Sequence, residues 1–193
     1  MRDATASREW QPDASTLATW NLLGLGLAIV GGIAFMALYA ATHGGEASVS
    51  LSGGEALRAL LVTLVLIAAL MVLHEWVHGL AMRSFGARPS YGMGVAGRVV
   101  PYAYCTAPGH LFDKRQFLTV TLAPGVMLTA ICMAGIMLPF GGWLVLPAAV
   151  HLGGCIGDVW VSAKVARMPG DMRFEDTITG VRFHPSGAGM SHV

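Results

Sequence analysis

Charge is what this chain of 193 residues has least of: Asp, Glu, Lys and Arg make up 12% of it, against 54% apolar residues. A water-soluble domain carries about 25% charged residues, so the composition, with a mean hydropathy of +0.61, places the chain in a membrane. An excess of one sign is missing too. The 12 Lys+Arg and 11 Asp+Glu leave a net charge of +1, which excludes the broad basic field that nucleic-acid binding needs. Cysteine is scarce and odd in number: Cys105, Cys132 and Cys155 stand at unrelated spacings, so no disulfide framework is expected. No removable leader is expected either, because a polar stretch of about twenty residues precedes the first apolar run.

Long apolar runs are what the chain does have. Four of them, at about 20–41, 56–83, 117–140 and 143–163, reach the roughly 20 helical residues that cross a hydrocarbon core. The first is rich in Gly, which suits close helix contact in lipid. Pro139-Phe140-Gly141-Gly142 turns the third run into the fourth, making them antiparallel neighbours. Orientation follows from the basic residues. Arg2 and Arg8 lie before the first run; Arg83, Arg88, Arg98, Lys114 and Arg115 lie between the second and third; Lys164, Arg167, Arg173 and Arg182 follow the fourth. Four spans with both termini in the cytoplasm put all of these on one side. The expected fold class is therefore an all-α membrane protein of four transmembrane helices: a tail at 1–19, a membrane core at 20–166 and a second tail at 167–193. The loop at 85–116 is too polar and too rich in Gly and Pro for a span. Val95–Tyr104 within it reads as a short β-hairpin at the membrane interface, and Thr177–Phe183 as a strand in the last tail.

Ionisable side chains inside an apolar run cost several kcal/mol unless they face a partner or a water-filled cavity, so those that occur point to function. The second run contains His74-Glu75-Trp76-Val77-His78, an HExxH pattern. Spacing of four puts both imidazoles on one helix face, able to hold a single Zn²⁺, with Glu75 beside the open position where a base for metal-activated water belongs. A hydrolytic zinc usually takes three protein ligands, and Asp158 is the acid available in the last two runs. His74 and His78 lie nine and five residues before Arg83, and Asp158 six before Lys164. All three thus sit about 8–14 Å inside the same face if the second and fourth runs are parallel. His151 and Cys155 share the helix face of Asp158. His151, a turn deeper, is placed to donate to a substrate carbonyl, and Cys155 reads as packing. Two other functions are compatible with these residues. A passive metal site in a transporter or sensor needs no base at Glu75, and a b-type haem between His78 and His151 leaves Glu75 without a role.

Leu73 to Ala87, LHEWVHGLAMRSFGA, together with Ala123-Pro124-Gly125 and Gly157-Asp158, resembles the zincin-type membrane peptidases of bacteria, a family related to the site-2 intramembrane metalloproteases. The similarity runs from about Leu57 to Phe183. It implies a zinc-dependent intramembrane endopeptidase of the cytoplasmic membrane, with one Zn²⁺ per chain on His74, His78 and Asp158, Glu75 as base and His151 near the substrate. The implied partners are the lipid bilayer and a transmembrane protein or peptide substrate, with a regulatory membrane partner or self-association compatible with this. Two departures stand out: Val159 follows the Asp where the site-2 pattern has Gly, and His151 stands near the place of a substrate-positioning Asn. The resemblance also implies that 85–104 corresponds to the hairpin that engages an unwound substrate.

Overall fold

The structure, a computed structural model, describes residues 7–45, 53–96 and 100–185. Gly97 and Arg98 of the loop, and the tail beyond Pro185 with His192, lie outside them. In chain order the elements are β1 (Arg8–Trp10), α1 (Ala14–Thr42), α2 (Gly53–Ser84), β2 (Ser90–Ala96), β3 (Val100–Thr106), α3 (Lys114–Ile136), α4 (Gly142–Gly154), α5 (Ile156–Ala166), β4 (Arg173–Thr177) and β5 (Gly180–His184).

Side-chain caps set where two of the helices begin, ahead of the apolar runs that follow. Asp13 Oδ1 accepts the N–H of Thr16 at 2.7 Å, starting α1 in polar sequence. At α3, Asp113 Oδ1 accepts the Gln116 N–H and Gln116 Oε1 accepts the Asp113 N–H, each at 2.9 Å, which is a reciprocal capping box. Four helical stretches are long and apolar enough to cross a membrane: Ala14–Thr42, Gly53–Ser84, Lys114–Ile136 and Gly142–Ala166. Large apolar side chains such as Leu22, Ile33, Val65 and Val126 are more than half exposed. The fourth stretch is α4 followed by α5. It breaks at Cys155, whose N–H reaches the carbonyls of His151 (3.1 Å) and Leu152 (3.3 Å).

The chain is mostly helical, as expected, but its β content exceeds the single hairpin and lone strand foreseen. β2 and β3 pair antiparallel with Tyr91 opposite Cys105, and a second sheet has the order β1-β5-β4. In that sheet Trp10 faces Val181 and Phe174 faces Phe183.

By its internal contacts the chain forms two units. One comprises the residues up to Ala18, Glu75–Ala123 and those from Gly157 onward. Its core gathers Met82, Phe112, Phe117, Val165, Phe174 and Val181. Phe112 and Phe174 are fully enclosed, contributing about 1.5–3 kcal/mol each, and their backbones exchange hydrogen bonds at 2.8 and 2.9 Å. The other unit comprises Thr19–His74 and Pro124–Ile156, packed around Phe35, Cys132, Ile136, Val145, Ala148 and Ala149. There α1 and α4 approach closely because Gly24 meets Gly153: a Cβ on Gly153 would lie 2.5 Å from the Gly24 carbonyl oxygen.

On the outer face of β4, Glu175 binds the three-stranded sheet to the loop between β3 and α3. It accepts from the Gly109 N–H (2.8 Å), Arg182 Nη1 (3.1 Å) and His184 Nε2 (3.0 Å), while Arg182 Nη2 also donates to Glu9 of β1 at 2.7 Å. Burial pushes the Glu175 carboxyl up, but the Gly109 N–H, His184 and Arg182 outweigh it and hold the group below its ordinary value. A depressed carboxylate pKa stabilises the fold above the unfolded value, near 4.3, and that contribution disappears as pH falls through the folded one. Glu175→Gln should therefore cost about 1–3 kcal/mol at pH 7. Thermal melts of the two proteins should converge once the pH lies below the wild-type group's folded pKa.

Candidate metal centre

The HExxH residues lie on an uninterrupted stretch of α2, His74 and His78 one turn apart. His78 is buried, 8% exposed, and its Nδ1 lies 2.9 Å from the Val120 carbonyl oxygen. A carbonyl can only accept, so Nδ1 carries the proton and Nε2 faces the other way. That carbonyl is available for a local reason. In a helix it would receive the N–H of residue 124, and residue 124 is a proline inside α3, which has none.

His78 Nε2 lies 3.5 Å from Asp158 Oδ1. Asp158 is presented by the first turn of α5, the segment that restarts after the break at Cys155. A charge-assisted N–H···O bond would be about 2.7–2.9 Å. Two ligands at about 2.0–2.2 Å from one tetrahedral ion stand about 3.3–3.5 Å apart. The pair therefore has the spacing of two ligands of a single Zn²⁺. A ligating imidazole whose other nitrogen is tied to a backbone carbonyl is also the usual outer-shell arrangement of such sites.

In the other unit, His74 Nδ1 lies 3.2 Å from His151 Nε2, with the rings edge to face. His74, His151 and Cys155 offer ligand atoms within 4.8 Å of one another. The Cys155 Sγ lies 3.3 Å from the His151 carbonyl oxygen, its own residue i−4, and 3.8 Å from His151 Nε2. The structure thus joins His78 to Asp158 and His74 to His151. Histidines outside this cluster have partners as well: His43 contacts the carbonyls of Tyr39 (3.0 Å) and Leu138 (3.1 Å), and His184 donates to Glu175. His110 packs against Phe112 with its ring tilted, centroids 4.5 Å apart.

Sequence reasoning missed Asp176. Strand alternation puts it on the face of β4 that carries Phe174, an inward direction for a carboxyl. The Thr106 hydroxyl donates to its backbone carbonyl at 2.9 Å. Burial pushes its carboxyl up to about 7; His78 and Thr106 oppose this, while Asp158 and Glu75 add to it. A carboxyl perturbed by those particular residues belongs to the same surroundings. Only the period-two pattern of Phe174 and Asp176 signals it in the sequence. Cys105, by contrast, is pushed up to about 12 by burial and by the charge of Glu75, and stays a neutral thiol.

A family profile described as "Putative zincin peptidase" matches residues 67–173, a segment that begins before His74 and ends after Asp158. No curated protein and no solved structure matches the chain.

Proposed function

Because the chain belongs to the zincin peptidase family, we propose that it is a zinc-dependent intramembrane endopeptidase of the site-2 type, acting on membrane-embedded proteins or peptides. The observation that carries this is the His78–Asp158 pair, at ligand spacing with its imidazole proton committed to Val120. His74, one turn earlier on α2, is the third ligand through Nε2, its Nδ1–H donating to His151. His151 then acts as the residue that orients His74. The oxyanion role expected of it passes to another donor.

When bound, zinc supplies Lewis acidity that polarises the scissile carbonyl and makes water acidic enough to be deprotonated near neutral pH. Glu75 takes the proton of the attacking water and delivers it to the leaving amine. Val120 and His151 keep the imidazoles in the tautomer with Nε2 free. A helical substrate must unwind before its carbonyls are open to attack, and an extended segment can then add to the two-stranded β2–β3 sheet. The basic residues flanking the spans favour both termini in the cytoplasm, which brings the site close to cytoplasmic water.

Protein purified from membranes should carry about one zinc per chain and cleave a membrane-anchored reporter in liposomes. A chelator should stop the cleavage and added zinc restore it. Chelator-resistant cleavage, or zinc far below one per chain with full activity, would remove the metal from the reaction.

A further inference from the structure

Gly79 immediately follows the HExxH motif, and the space its missing side chain leaves is occupied. A Cβ on residue 79 would run into the phenol of Tyr91, with Cζ at 2.6 Å and Cε1 at 3.1 Å and the hydroxyl oxygen nearer still. Tyr91 stands near the start of β2, opposite Cys105. Gly79 is four residues after Glu75, hence on the same face of α2, and a helical Cα–Cβ bond leans toward the helix N-terminus. The hydroxyl therefore lies over the turn that carries Glu75. Tyr91 as a residue is 44% exposed, so it is not sealed into a core. Burial and the neighbouring Cys105 and Glu75 raise its pKa against the pull of Arg83, which keeps it a protonated donor at neutral pH.

We infer that Tyr91 is a catalytic residue whose phenolic O–H donates a hydrogen bond to the substrate carbonyl oxygen as negative charge gathers there during attack. The inference rests on the peptidase function proposed above. A donor placed beside the base turn can meet the carbonyl that the activated water attacks, and a rigid ring lodged in a glycine gap is pre-organised for it. The glycine is then a requirement of the site: any larger residue at 79 would displace the ring.

The test uses the full chain, zinc-loaded, in liposomes with a single-span reporter peptide, alongside binding of a peptidyl phosphonate whose charged oxygens mimic those of the attacked carbonyl. Tyr91→Phe keeps the ring and removes the hydroxyl. It should lower kcat by about 10²–10³-fold with KM and zinc content unchanged, and weaken phosphonate binding. Gly79→Ala, which moves the ring without deleting a donor, should lower kcat while zinc content holds. Turnover and phosphonate affinity of Tyr91→Phe within twofold of wild type would overturn the role of Tyr91 while leaving the peptidase intact, provided Glu75→Gln is inactive in the same assay. If wild type and Glu75→Gln cleave equally or not at all, both the peptidase and the role of Tyr91 fall.

Discussion

Glu75→Gln should retain its zinc and lose its turnover, by about 10²–10⁴-fold, the range that a positioned proton acceptor contributes. The substitution preserves shape and removes one charge and the basic lone pair. Glu75 follows His74 directly and so projects about 100° around α2 from it, beside rather than toward the paired imidazoles. A residue so placed can exchange protons with water without holding the ion. Elemental analysis and reporter cleavage on the same liposome preparation check both halves. A zinc-replete Glu75→Gln that cleaves at the wild-type rate would show that this residue is not the base.

Asp158→Ala should do the reverse and lose the metal. On the proposed ligand set, the substitution leaves His78 Nε2 facing a gap where an oxygen stood at 3.5 Å. Zinc content should drop from about one per chain to a small fraction of it, with cleavage falling in parallel. His151→Ala provides the contrast. If His151 only orients His74, its loss should weaken zinc affinity by about 10–100-fold, the usual cost of deleting an outer-shell partner, and excess zinc should restore occupancy. Full occupancy in Asp158→Ala would mean that the third ligand is another residue.

How much of this was legible in the sequence depends on how local each signal is. The four apolar stretches and the HExxH spacing are written within single helices, and both are present. Matching the depth of Asp158 to that of His78 required only that helical rise be counted from basic ends, and the two side chains do meet. The apolar run that begins at about residue 20 does not mark where α1 begins, at Ala14, because that start is set by the capping Asp13 in polar sequence. Pairing of β1 with β5 joins Trp10 to Val181, a contact between distant parts of the chain that no local periodicity announces. Asp176 escaped notice because five residues of β4 give too short an alternation to mark an inward carboxyl. His151 was placed by helix depth alone, which fixes height but not the neighbour it faces. Tyr91 was invisible for a different reason: what locates it is the absence of a side chain at Gly79.

The proline in α3 links helix quality to chemistry in an unexpected direction. Ordinarily a proline in mid-helix is a defect, costing about 3 kcal/mol relative to a good helix former. Here the oxygen left over at Val120 is the hook on which His78 hangs. Mending the ladder with alanine at 124 would set a restored amide and an imidazole competing for the same acceptor. Sequence optimisation aimed at helical perfection would therefore act against the proposed metal centre at this position, and a flaw in one rod is the fixture that keeps its neighbour's imidazole aimed.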